Sequence, residues 1–249
     1  MKHALPCLLT LACALVAPVP AAAQDASRPW SATVYLQQSW PKQTETNRQI
    51  KQDINGSLGT SFQTWDDVAN GNLGLLVFRT VAPKWKAGFE LDYSQGGISG
   101  RQGLADFGLG PGNVAFEQKY SVYADLLAMV QYRPLGESGQ WSPFLNAGVG
   151  LAYEKDRTLL TFNSSLGTGD FELLKVDNSG WFPVLSFGLG VDVFLTKRRL
   201  WFAELGASYS WARLKHSAPA TGLLAPAPTV TADTDSTGPN LWFGVGRRF

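Results

Sequence analysis

Nine charged residues stand where they could do chemistry together: Lys86, Glu90, Asp92, Asp125, Arg133, Glu154, Asp192, Glu204 and Arg248. Each falls on the polar side of a segment whose residues alternate between apolar and polar. Carboxylates two apart, such as Glu90 and Asp92, share one face of a strand. Acid–base catalysis also needs a substrate held against them, and no neighbouring pattern positions one. His216 and Ser217 are the one His–Ser neighbour pair of the chain. Nucleophilic catalysis needs an oriented base, and the sequence offers no orienter for that histidine. Gly148-x-Gly150 and Gly188-x-Gly190 match a fragment of a dinucleotide fingerprint, but no helix follows either strand. Asp233-Thr234-Asp235 lacks the rest of a calcium loop. No cofactor and no metal are expected.

The elements that carry these charges are eight alternating segments. Along 30–40, Trp30, Ala32, Val34, Leu36 and Trp40 oppose Ser31, Thr33, Tyr35, Gln37 and Ser39. The pattern recurs at 72–80, 85–94, 119–133, 143–154, 183–194, 200–212 and 240–249. Successive strand residues point to opposite faces, so each segment has one apolar and one polar side. Segment 72–80 is the weakest, since Leu76 and Phe78 stand on its polar side, and Leu127 and Met129 are similar exceptions at 119–133. The glycines at 148, 150, 188 and 190 thin the polar face, so that bulky neighbours such as Phe144, Phe202 and Trp242 fit.

A soluble sandwich alternates too, so the chemistry of the faces decides between the two folds. The apolar faces end in aromatics at both limits: Trp30 and Trp40, Trp85 and Tyr93, Tyr120 and Tyr132, Trp201 and Trp211. Amphipathic rings at both ends of an apolar band are what two membrane–water interfaces select. A tilted strand of about nine to eleven residues crosses a bilayer, which these segments match. The connections also alternate, short at 82–84, 134–141 and 195–199 and long at 41–71, 95–118, 155–182 and 213–239. Short periplasmic turns and long extracellular loops give that alternation, with both termini periplasmic. The expected fold is all-β: an eight-stranded antiparallel up-and-down transmembrane β-barrel over residues 24–249.

Residues 1–23 read as a cleaved signal peptide, with Lys2 and His3 before an apolar stretch and an Ala21-Ala22-Ala23 cleavage site. Both cysteines, Cys7 and Cys13, lie inside it, so disulfides and thiolate metal sites drop out of the mature chain. Lys2 is one of 21 basic residues, and without it basic and acidic residues balance at 20 acidic. A balanced charge argues against nucleic acid as a partner.

The chain closes on Leu241-Trp242-Phe243-Gly244-Val245-Gly246-Arg247-Arg248-Phe249. Phe243, Val245 and the terminal Phe249 resemble the C-terminal signal by which the barrel-assembly machinery reads outer-membrane barrels. Arg247 departs from that pattern. Pro143 to Tyr153 is similar to the fifth-strand motif of the OmpA/OmpW-like small-barrel superfamily. The resemblance implies a location in a bacterial outer membrane, with outer-membrane lipid and lipopolysaccharide as surroundings. It implies no peptidoglycan-binding domain, because the chain ends at the barrel.

An eight-stranded interior is just wide enough for side chains to fill it. Charges confined there are expected to pair as a plug, with Glu204 against Arg248 in the periplasmic half. The expected role is therefore non-enzymatic: envelope structure, or interaction with an extracellular ligand through the loops. The alternative is a narrow channel for small solutes, as in OmpW-like barrels, and a lipid-modifying enzyme using His216 and Ser217 comes third.

Overall fold

The computed structural model describes residues 29–41, 44–65, 68–104, 110–137, 139–165, 170–225 and 227–249. The expected signal peptide, residues 1–23, lies outside the described residues.

Among the described residues, nine antiparallel strands run in chain order: β1 (Trp30–Ser39), β2 (Asn70–Ala82), β3 (Trp85–Leu104), β4 (Gly112–Tyr132), β5 (Trp141–Ser164), β6 (Asp170–Phe194), β7 (Trp201–Thr221), β8 (Thr229–Asp235) and β9 (Gly238–Arg248). Each of β1 to β7 pairs with the next, β7 pairs with β9, and β9 pairs back onto β1. That closes a ring of eight and leaves no edge in the barrel wall. At the seam Val34 lies opposite Leu75 on one side and Val245 on the other. β8 is not a ninth stave. It continues the line of β9 and pairs with the upper half of β7, from Arg213 opposite Asp235 to Pro219 opposite Thr229.

The long connections expected at 95–118, 155–182 and 213–239 are therefore mostly strand. β3 to β7 run on past the outer aromatics as paired hairpins, so Asn113 still lies opposite Asn163 and Leu160 opposite Leu174. Among the described residues, no helix is long and apolar enough to cross a membrane. The strands cross instead.

Outward residues form an apolar belt. Val34, Leu36, Leu73, Leu126, Leu189, Leu205 and Phe243 are all exposed, Leu36 by 67%. Aqueous solvent disfavours a closed ring of such side chains at roughly 25 cal/mol per Å², and hydrocarbon does not. Trp30, Trp85, Trp201 and Trp141 lie toward the end with the short turns, and Trp40, Tyr93, Trp181 and Trp211 toward the other. Tyr132 is half-buried and packs on Trp85 with ring centres 4.8 Å apart. The protein is a membrane-spanning barrel of the outer-membrane type.

Tyr120 does not belong to that girdle. It is buried and faces inward, with its ring 4.9 Å from that of Trp65. The register of β4 slips between Tyr120 and Val122, where Ser121 is the extra residue. One inserted residue reverses which face each later side chain takes. The alternation read from Val122 onward therefore does not extend back through Tyr120.

Inside, bulky side chains meet glycines from neighbouring strands. A Cβ on Gly206 would lie 2.1 Å from the Trp242 ring, one on Gly246 2.2 Å from Phe202, and one on Gly190 2.5 Å from Phe144. Leu76, Phe78, Leu127 and Met129, exceptions to the polar inner pattern, point inward and join Phe144, Phe182 and Trp242 in a buried apolar layer.

Candidate functional site: a layered lumen

The lumen is built in layers, beginning at the end that carries the termini. There the turn after β4 folds Glu137 back into the mouth. Its Oε1 lies 2.6 Å from Lys86 Nζ and 3.5 Å from Arg133 Nε, and its Oε2 accepts from Arg248 Nη2 at 2.6 Å. Arg133 also donates to Asp192 Oδ2 at 2.6 Å, to Ser142 Oγ at 2.7 Å and to Gln131 at 2.8 Å. Its guanidinium sits 5.1 Å from the centre of the Phe144 ring. Arg199 ties the same turn down by donating to the Glu137 backbone carbonyl at 2.7 Å. Burial alone would push the Glu137 carboxyl up. Lys86, Arg133 and Arg248 outweigh it and bring the group down to about 2.

The expected pairing of Glu204 with Arg248 is not what the barrel holds. Glu204 accepts from Trp242 Nε1 at 2.9 Å and from Thr33 Oγ1 at 3.2 Å, while Arg248 goes to Glu137. Height along the strands placed Glu204 and Arg248 in the same half. Register does the rest: Glu204 lies opposite Gly244, and a glycine there lets the Trp242 indole reach the carboxylate first. Glu137 went unnoticed in the sequence because it sits in a turn, where no alternation marks a residue as inward.

Above the apolar layer comes an acidic one. Tyr35 Oη lies 2.6 Å from Glu90 Oε1 and 2.5 Å from Asp92 Oδ1. Asp92 stands opposite Asp125 across β3 and β4, and Asp125 Oδ2 accepts from Tyr123 at 3.3 Å. Glu154 is buried on β5, opposite Tyr123. Sequence thus supplied nine inward charges, and the barrel divides them. Lys86, Arg133, Asp192 and Arg248 gather at the lower mouth, Glu204 stands opposite Asp192 and is held by Trp242 and Thr33, and Glu90, Asp92, Asp125 and Glu154 gather at mid-height. A small polar cavity of about 60 Å³ opens above this acidic layer, reaching Ser39, Pro41, Asn70 and Ser236 at the upper ends of the strands.

The upper chamber is roofed by the connection after β1, which is not a solvated loop. It forms a short helix α1 (Thr44–Arg48) running into a π-helical stretch, Gln49–Gly56. Ile50, Ile54, Phe62 and Trp65 from this segment are buried against Ile98, Val114, Phe116, Leu160 and Phe162 of the extended strands. Trp65 Nε1 donates to Gln118 Oε1 at 2.7 Å, and its backbone NH donates to Asn47 Oδ1 at 2.8 Å. The slip at Ser121 is what turns Tyr120, Gln118, Phe116 and Val114 inward to receive it.

One section of the extension above the barrel wall is unzipped. β6 and β7 pair at Val176–Ala220 and again from Val184–Ala212, and part in between. His216 spans this slit and its Nε2 meets Asn178 Oδ1. Asn178 is thus the partner that sequence could not find, and the other ring nitrogen, Nδ1, is buried without a hydrogen-bond partner. Burial lowers the His216 imidazole below its ordinary value. Burial also pushes the neighbouring Asp156 up to about 7, helped by the charge of Asp177 and opposed by a hydrogen bond with Asn178. Among the described residues, no group of three or more His, Cys, Asp or Glu is arranged to hold a metal.

No protein-family model matches the chain, and no curated protein matches it in sequence. Solved structures do resemble it. The outer membrane protein OprG of Pseudomonas aeruginosa is 16% identical over 88% of this chain and 95% of its own, with a TM-score of 0.46. The attachment invasion locus protein Ail of Yersinia pestis, in complex with the heparin analogue sucrose octasulfate, is 14% identical over 88% of this chain and 97% of its own, with a TM-score of 0.42. Outer membrane protein W of E. coli is 17% identical over 89% and 98%, also with a TM-score of 0.42.

Proposed function

We propose that this protein is a non-enzymatic outer-membrane barrel whose lumen is shut to solutes and whose working surface is the folded extracellular extension. The observation that carries this reading is the clamp at the lower mouth, where one glutamate gathers Lys86, Arg133 and Arg248. An eight-stranded barrel leaves little free cross-section, and the clamp occupies it with bonded charge. The chain spends its length instead on β3–β7 hairpins and a packed roof above the membrane, the location from which barrel loops bind partners. Lipopolysaccharide and outer-membrane lipid would surround the belt. Phe243 and Val245, exposed on β9, and the terminal Phe249 would be presented to the barrel-assembly machinery.

The test is single-channel recording of refolded protein in a planar bilayer, with folding confirmed by heat-modifiable gel migration. The expected record is silent. Discrete openings that change when Arg133 is replaced would make the protein a narrow solute channel instead.

A further inference from the structure

We propose that the acidic mid-lumen cavity is a binding site for a small primary ammonium ion, reached from the extracellular side. This goes beyond the closed-lumen reading and does not depend on it. The cavity floor carries Glu90, Asp92, Asp125 and Glu154, and among its described lining residues there is no Lys, Arg or His. Negative charge gathered in a narrow, low-dielectric space needs a cation or a proton. The geometry implies one proton. Tyr35 has a single hydroxyl hydrogen, yet contacts carboxylate oxygens of Glu90 and Asp92 at 2.6 and 2.5 Å. Two such contacts require that one of these carboxyls carry a proton of its own. Asp125 has no such bridge.

Two acceptors point to the ligand itself. Asp125 Oδ1 and Asn72 Oδ1 are both buried without a hydrogen-bond partner, and both residues line the cavity with 8% of their surface exposed. One is a carboxyl oxygen and one an amide oxygen. A buried acceptor left unmet costs about 1–3 kcal/mol, so a ligand that donates to both is favoured over one that merely neutralises. An ammonium group offers three donors and a positive charge. The remaining lining suits its neighbours: hydroxyls of Ser94, Ser186, Ser208 and Ser210 and the amide of Asn240. Inorganic divalent ions fit less well, because the described carboxylates are not gathered in a metal-holding group. At about 60 Å³ the space admits the ammonium head and a water or two. Any longer body must extend upward past Ser39, Asn70 and Ser236.

The experiment uses the full mature chain refolded into zwitterionic phosphatidylcholine vesicles, with folding checked by heat-modifiable migration. Isothermal titration is run with putrescine, with uncharged 1,4-butanediol and with magnesium chloride. Expected is saturable binding of one putrescine per chain, none of butanediol, and no displacement by an equal concentration of magnesium. Asp125→Asn should weaken putrescine at least tenfold, and Asn72→Leu several-fold without changing net charge. The proposal is overturned if folded wild type gives no saturable heat. It is equally overturned if both variants bind as wild type does, or if magnesium displaces putrescine freely, which would reveal only a counter-ion atmosphere.

Discussion

Replacing Glu137 with Gln removes one negative charge from the meeting point of three cations, and the structure fixes how much that should matter. The carboxyl falls from 4.5 to about 2 on folding, which at ~1.4 kcal/mol per pH unit is worth about 3 kcal/mol. The side chain is only 16% exposed, so solvent screening takes little of this away. An independent route gives the same size: breaking a buried ion pair from one side costs about 3–5 kcal/mol, because the partner is left uncompensated. Lys86 and Arg248 would be those partners, whereas Arg133 keeps Asp192. The sign follows from linkage. A carboxyl lowered in the folded state contributes its full stability above pH 4.5 and loses it as pH falls toward 2. Urea unfolding in lipid vesicles, followed by tryptophan fluorescence, should show Glu137→Gln less stable by about 3 kcal/mol at pH 7. The gap between variant and wild type should then close between pH 4.5 and about 2. Equal midpoints at pH 7 would refute the clamp as a source of stability, and a gap that stayed constant on acidification would refute its assignment to this carboxyl.

Two further outcomes follow from the upper chamber. Asp156 is raised from 3.8 to about 7, so the folded extension holds a proton the unfolded chain releases, and stability falls as pH rises across that interval. Protection factors of β5 and β6 amides, with base-catalysed intrinsic exchange divided out, should therefore be lower at pH 8 than at pH 5, and Asp156→Asn should abolish the difference. Trp65→Ala removes a ring that is 1% exposed and anchors the roof, a loss of about 3–5 kcal/mol confined to that packing. Limited proteolysis should then cut within 41–69 while heat-modifiable migration of the barrel is unchanged.

The membrane-spanning half was legible because its physics repeats. A strand between lipid and a filled lumen has no choice but to alternate, and eight repeats with aromatic ends leave few folds to consider. Even some bulky inner residues were announced by inner glycines, as with Phe144 over Gly190. What resisted reading was wherever the period breaks. Ser121 adds one residue to β4, and the side chains before it exchange faces, so Tyr120 passes from the expected girdle to the roof contact with Trp65. Residues 41–70 carry enough charge to look solvated, and although Ile50, Ile54, Leu58 and Phe62 recur every fourth residue, a helical spacing, they find their partners only once β3 to β6 have risen past the membrane. Glu137 is the sharpest case. A turn residue has no inward or outward side until the strands around it are closed, and the three cations that gather it come from β3, the end of β4 and β9. The expected partner of Arg248 was sought along the strands, where alternation gives every residue a face. The actual one lies between strands, where only closure of the ring does. In a barrel this narrow, a turn that reaches the mouth competes with the wall for every inward charge, and here the turn wins because its backbone is itself held by Arg199.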